Sequence, residues 1–250
     1  MAVYSRRIIV QTGNIIDMED QIRLVGQSSS EELKGCVKSA LNQWEKQEEL
    51  GDVVVVQGRR EPLLHNSARG ISTTAKIFLC DNSGDTVLDA VKTVMKNVDR
   101  QCIESVIVAP PDVSDDSPLQ DLIPTWRALE GAVHDGIVSH IGIADASYRL
   151  FKELYEWAEV KPSTLQINVD DCCTVSEPMT EFARTHDVQI LTHSDDHEML
   201  DEDVVSSILG RVGAPHSSCR VRWLARHRTI HTCFGLILDK GYTIALDCDD

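Results

Sequence analysis

Apolar runs rich in β-branched residues alternate along this chain with stretches whose apolar positions recur at helical spacing. Val53-Val-Val-Val56 is the plainest of these runs. Consecutive side chains on a strand project to opposite faces, so four valines in a row need cover on both sides, as in parallel sheets crossed over by helices. Residues 29–44 carry the complementary pattern, with Leu33, Val37, Leu41 and Trp44 on one helical face behind a capping box read at Ser29-Ser-Glu-Glu32. A chain that repeats this pair of signals is built from βα units.

Further strands are expected at 8–11, 74–80, 105–109, 137–144, 164–169 and 188–193, and further helices over 86–98, 124–136, 147–159, 178–186 and 197–209. Asp52 is read as the end of the first helix. Pro124 suits the first turn of its helix, where a missing N–H is tolerated, and Gly136 suits the end. Beyond 209 the rhythm weakens. Apolar runs at 221–224, 234–238 and 242–246, with a turn signal at Asp239-Lys-Gly241, read as a last strand followed by a hairpin-like extension. Eight strands against six helices predict an α/β fold, a (β/α)8 TIM barrel whose second and eighth outer helices are short or missing. An open doubly wound sheet is the alternative. At 250 residues with 42% hydrophobic content, a single domain over 1–250 is expected, with 219–250 as last strand and C-terminal extension.

Twenty-four Lys and Arg against 40 Asp and Glu give a net charge of −16, which repels phosphate backbones and anionic lipid, so neither a nucleic acid nor a membrane is expected as partner. The apolar run Ile8-Ile-Val10 is too short for a signal-peptide core or a spanning helix, and a cytoplasmic protein is expected. The eight cysteines, Cys36, Cys80, Cys102, Cys172, Cys173, Cys219, Cys233 and Cys248, contain no C-x-x-C pair. Reduced thiols follow as the expectation, the vicinal Cys172-Cys173 included. His193 and His197, like His227 and His231, are four apart, but neither pair carries the glutamate of a zincin motif, so no metal is expected. The acids of Asp195-Asp-His-Glu198 and Asp201-Glu-Asp203 read as a solvated face and helix first-turn charges.

Several short blocks carry a family resemblance. Gln11-Thr-Gly-Asn14 follows the first strand, Lys76 sits in Thr74-Ala-Lys-Ile-Phe78, Gly142 in Ile141-Gly-Ile143, and Gln166-Ile-Asn-Val-Asp-Asp-Cys-Cys173 follows a strand. Leu191-Thr-His193 and Lys240-Gly-Tyr242 extend the series almost to the end. In order and spacing the set resembles the regulatory (modifier) subunits of glutamate-cysteine ligase, non-catalytic relatives of the aldo-keto reductases. The resemblance implies a barrel of the reductase type and a heterodimer with the catalytic subunit that makes the first bond of glutathione.

Reductase chemistry needs a Tyr proton donor, a Lys and an Asp that tune it, and a His that orients the carbonyl. By this resemblance Lys76 is a relic of that tetrad. Residues 56–65 hold neither Tyr nor Asp, and Ala109 stands where the His would precede its proline. On the cofactor side the resemblance leaves Ala144-Asp145 in place of Ser-Asn, with Gln166 as a relic, and 229–235 lacks Lys and Arg. No cofactor and no catalytic residue are therefore expected. The first reading is a regulatory subunit; the alternatives are an NADPH-dependent carbonyl reductase with a rebuilt site, or a redox-sensing interaction protein using Cys172-Cys173. The least barrel-like stretch, Arg220 to Leu246, is the expected location of part of the partner-binding surface.

Overall fold

A computed structural model describes residues 6–18, 26–45, 52–60, 70–111, 117–169 and 175–249. The chain divides into two compact units, Thr73–Ser194, and Met1–Ser72 together with Asp195–Asp250.

The contiguous unit is a run of βα repeats. It contains most of β3 (Ile71–Leu79), then α2 (Gly84–Asn97), β4 (Ile103–Ala109), α3 (Leu119–His134), β5 (Val138–Ala144), α4 (Tyr148–Trp157), β6 (Thr164–Asn168), α5 (Glu177–Thr185) and β7 (Gln189–His193). Each strand pairs in parallel with the next. The register aligns Ala75 with Val106, and Ile77 with Val108, Ile143 and Leu165; all are buried, as a face covered by crossover helices must be. The opposite face is mixed. Lys76, Ile107, Gly142, Thr164 and Gln189 form one row across it. Two residues further along the same strands come Phe78, Ala109, Ala144, Gln166 and Leu191.

The discontinuous unit joins both ends of the chain. It holds β1 (Arg6–Gln11), α1 (Ser29–Gln43), β2 (Val53–Gln57), α6 (Glu202–Val212), β8 (Cys219–His231) and β9 (Leu236–Cys248). β2 lies parallel to β1, whereas β9 lies antiparallel to β1 on its other side and antiparallel to β8. The core of this sheet includes Ile8, Val10, Trp223, Tyr242, Ile244 and Leu246, each at most 2% exposed. Fully burying one such aliphatic side chain stabilises by about 1.5–3 kcal/mol.

The α/β class and the repeated βα unit stand as read from the sequence, and among the described residues each of the six α-helices overlaps a stretch that periodicity marked, the last one running Glu202–Val212 instead of 197–209. Four details are corrected. The capping box is Ser28 with Glu31, one residue earlier than expected. Pro124 lies inside α3, which starts behind Pro118; the backbone bond lost there and the clash of its ring with the carbonyl four residues back are offset by burial of Leu122, Trp126 and Leu129 on the helix's inner face. α1 ends at Gln43, not at Asp52. Finally, 219–248 is one long antiparallel hairpin whose turn occupies 232–235, with Gly235 at φ 62°. Asp239-Lys-Gly241 is strand, and Gly241 serves close packing instead of a turn. The segments 61–69, where a helix is absent or short in the expected scheme, and 170–174, with Cys172 and Cys173, lie outside the described residues.

Candidate functional site

Lys76 and Gln166 lie on the mixed face of the contiguous unit. Lys76 is 5% exposed, with Nζ 5.1 Å from the Phe78 ring centroid. The Gln166 carbonyl oxygen Oε1 is buried with no hydrogen-bond partner. One step along, at the carboxyl ends of the strands, stands a pair that sequence spacing did not show. Asp145 adopts φ 59°, a conformation Asp tolerates better than most residues. Its N–H donates to Gln166 O at 2.8 Å, and its Oδ1 accepts from Asn168 N at 3.0 Å and lies 2.9 Å from His193 Nε2. His193 is therefore paired with Asp145, 48 residues away. Among the described residues no group of three or more His, Cys, Asp or Glu could hold a metal.

These residues do not fit a nicotinamide dinucleotide. An orphaned Gln166 oxygen suits the amide donor of a nicotinamide, yet the Asp145 carboxylate beside it is already engaged and has no donor to offer. Ala109 supplies no polar group on the same face, and the described tyrosines are Tyr148 and Tyr155 on α4 and Tyr242 on β9.

The other unit brings together two blocks 230 residues apart, Gln11-Thr-Gly-Asn14 and Lys240-Gly-Tyr242. Asn14 Oδ1 accepts from Lys240 N at 3.0 Å and its Nδ2 donates to Leu238 O at 3.2 Å; Thr12 Oγ1 accepts from Tyr242 N at 2.9 Å. Backbones approach so closely that a Cβ on Gly241 would sit 2.2 Å from Gly13 O, one on Gly13 2.1 Å from Arg59 O, and one on Gly58 2.2 Å from Thr12 O. Only glycine fits such contacts.

Beside them lies a buried polar triad. One Arg60 guanidinium nitrogen reaches both the Asp239 carboxylate and His227 Nε2, the latter at 2.8 Å. His227 Nε2 also lies 3.4 Å from Asp239 Oδ2, so one ring nitrogen faces both the guanidinium and the carboxylate. Burial pushes the His227 pKa down, with Arg60 acting in the same direction against Asp239. Burial pushes the Asp239 carboxyl up, but His227 and Arg60 outweigh it and hold the group below the usual carboxylate range. The acids expected on a solvated face are also employed here. Asp195 is 4% exposed and takes Arg226 through both oxygens, at 2.5 and 3.0 Å, while Asp196 accepts from Ser30 N at 2.8 Å.

Two of the thiols expected to be reduced are joined: Cys219 opens β8, Cys248 closes β9, and the two face each other in register as a disulfide. Sequence spacing gave no hint of this because the partners meet only through antiparallel pairing. Cys36, Cys80, Cys102 and Cys233 are free. Burial and the nearby Glu32 push the Cys36 thiol up to about 12, so it stays protonated and inert. At the far end of the hairpin Phe234 is 80% exposed and Leu236 58%, with the Phe234 ring 4.7 Å from that of His231.

Residues 78–195 match the family model described as Aldo/keto reductase family. Over the whole chain the likeness is to regulatory subunits. The human glutamate–cysteine ligase regulatory subunit is 30% identical over 254 residues, covering 96% of this chain and 92% of that one. The bovine regulatory subunit is likewise 30% identical, over 94% of this chain and 90% of its own. A solved aldo/keto reductase from Brucella melitensis superposes with a TM-score of 0.41 at 20% identity, over 56% of this chain and 52% of that one. The chain belongs to the glutamate–cysteine ligase regulatory subunit family.

Proposed function

We propose that this chain is a non-catalytic regulatory subunit that binds the catalytic subunit of glutamate–cysteine ligase and raises its efficiency in the first step of glutathione synthesis. The observation that carries the reading is the 30% identity over 96% of the chain to a protein named for that role. The local chemistry agrees with it: a face with Lys76 and Gln166 but an engaged Asp145–His193 pair and Ala109 is poorly equipped for carbonyl reduction. A partner can shift the catalytic subunit's equilibrium only by binding one of its conformations better than another. For part of the contact we propose the β8–β9 hairpin, whose tip exposes Phe234, Leu236 and Ile237. No described helix is long and apolar enough to cross a membrane, and a cytoplasmic heterodimer is the setting proposed.

The test is reconstitution with a catalytic subunit. One-to-one co-elution, a lower glutamate requirement and weaker glutathione inhibition are expected, all retained by Lys76→Ala. Unchanged kinetics with no co-elution at micromolar protein, both partners folded, would remove the assignment. So would sustained NADPH oxidation by the isolated chain that Lys76→Ala abolishes.

A further inference from the structure

The disulfide stands at the open end of the β8–β9 hairpin, and its two sulfurs are unequal. Cys248 is 3% exposed, on β9, which lies between β8 and β1; Cys219 faces it on one side and Arg6 on the other. Cys219 is only partly buried, where the short turn His216–Ser218 gives way to β8, and His216 and Ser217 of that turn are exposed. A thiol arriving from solvent therefore has one sulfur within reach. Thiol–disulfide exchange depends on access and on which sulfur is attacked, so the new bond forms at Cys219 and Cys248 leaves.

Strand pairing continues on both sides of the bond. Inside it, the ladder runs from Arg220 with Asp247 to His231 with Leu236; outside it, Asp249 N donates to Ser218 O at 2.8 Å. The Cys219 N–H is held as well, donating to His216 O. These backbone bonds keep the two cysteines opposite one another when their sulfurs are not joined. A released Cys248 thiolate thus stays beside Cys219, as a resolving thiol must. In the cytoplasmic setting proposed above, such bonds are usually transient.

We propose that Cys219 is a site of reversible modification by a low-molecular-weight thiol of the glutathione type, with Cys248 as the thiol that resolves it. The attacking thiolate bonds to Cys219 Sγ, the Sγ–Sγ bond breaks, and its electron pair leaves on Cys248 Sγ, which takes a proton from water. Return attack by the Cys248 thiolate on Cys219 Sγ expels the small thiol and restores the bond. Attack by a second small thiolate on the sulfur of the first instead releases a small-molecule disulfide and leaves Cys219 and Cys248 both reduced. With that small-molecule disulfide as oxidant, the same steps in reverse close the bond again. The chemistry goes beyond the regulatory-subunit reading and does not depend on it.

The test uses the full chain, Cys219→Ser and Cys248→Ser, with glutathione and glutathione disulfide as probes, followed by acid quenching, alkylation and peptide mass mapping. Circular dichroism checks that both variants fold. In Cys248→Ser, which cannot resolve, glutathione disulfide should load Cys219 with glutathione. In Cys219→Ser, loading of the covered Cys248 should be at least about tenfold slower. In the parent chain, excess glutathione should open the bond without urea, with the early adduct on Cys219, and glutathione disulfide should close it again. Equal loading of the two variants, or an early parent adduct on Cys248, overturns the assignment. So does a bond that excess glutathione opens only in urea, or a pair of parent thiols that glutathione disulfide never joins. If a variant does not fold, the position of the early adduct in the parent chain decides.

Discussion

The two units of this molecule are organised in opposite ways. Thr73–Ser194 keeps the regular parallel repeat, coincides closely with the 78–195 stretch that matches the reductase model, and carries a mixed face with Lys76 and Gln166. Met1–Ser72 with Asp195–Asp250 departs from the repeat, with an antiparallel hairpin, a disulfide and a buried Arg60–Asp239–His227 triad. Buried charge pairs, Arg60 with Asp239 and Arg226 with Asp195, hold the discontinuous unit together, so it should be the more sensitive to single substitutions.

The largest effect expected is from Asp239→Ala, which leaves the Arg60 charge and a buried histidine without their carboxylate. A loss of about 3–5 kcal/mol is expected from breaking such a pair, read by urea unfolding. A loss below about 1 kcal/mol would mean that the triad is not a clamp. The disulfide comes next. It closes a sequence separation of 29, for which chain entropy gives at most about 3–4 kcal/mol. Non-reducing peptide mapping should join Cys219 to Cys248, and Cys219→Ser should lower the unfolding midpoint while leaving a mixture of other free thiols unchanged. A map showing both thiols free in protein purified under air would break this part of the comparison.

A pH effect of smaller size follows from His227. Its folded pKa lies below the ordinary value of about 6.5, so the unfolded chain binds the proton more readily as pH falls. Stability is then full above about pH 6.5 and declines progressively below it, down to the folded pKa. His227→Gln should flatten that decline; an identical pH profile in the variant would contradict the neutral, buried assignment. The smallest effect belongs to the contiguous unit. Asp145→Asn keeps the shape of a partly exposed, hydrogen-bonded side chain, and a change within about 1 kcal/mol is expected. A loss as large as that of Asp239→Ala would erase the contrast between the two regions.

Much of this architecture was legible beforehand, and the limits of that legibility have physical causes. Local signals marked a stretch overlapping each of the six described α-helices because caps, prolines and apolar spacing act within a few residues: Ser147 caps its helix where the reading began it, whereas the last helix runs between Asp201 and Gly213 instead of over 197–209. Lys76 and Gln166 were singled out by family likeness, and strand register puts them on one face. What escaped were contacts that only pairing creates. Asp145 with His193, Arg60 with Asp239, and Cys219 with Cys248 join residues 29 to 179 positions apart. The lysine-glycine-tyrosine block misled for a related reason: glycine at 241 looked like a turn because turns are its commonest use, whereas here it gives clearance to the Gly13 carbonyl.

The pairing of β1 with β9 has a consequence for how the protein is made. A ribosome releases residues 6–11 first and 236–248 last, yet these strands are hydrogen-bonded neighbours. Thr73–Ser194 draws its internal contacts from continuous sequence and can close them while synthesis continues. β1 can pair with β2 early, but its other edge must wait for nearly the whole chain to emerge. Nascent chains arrested before residue 236 should therefore protect the contiguous unit against protease and leave the N-terminal strand open, a natural point of engagement for chaperones.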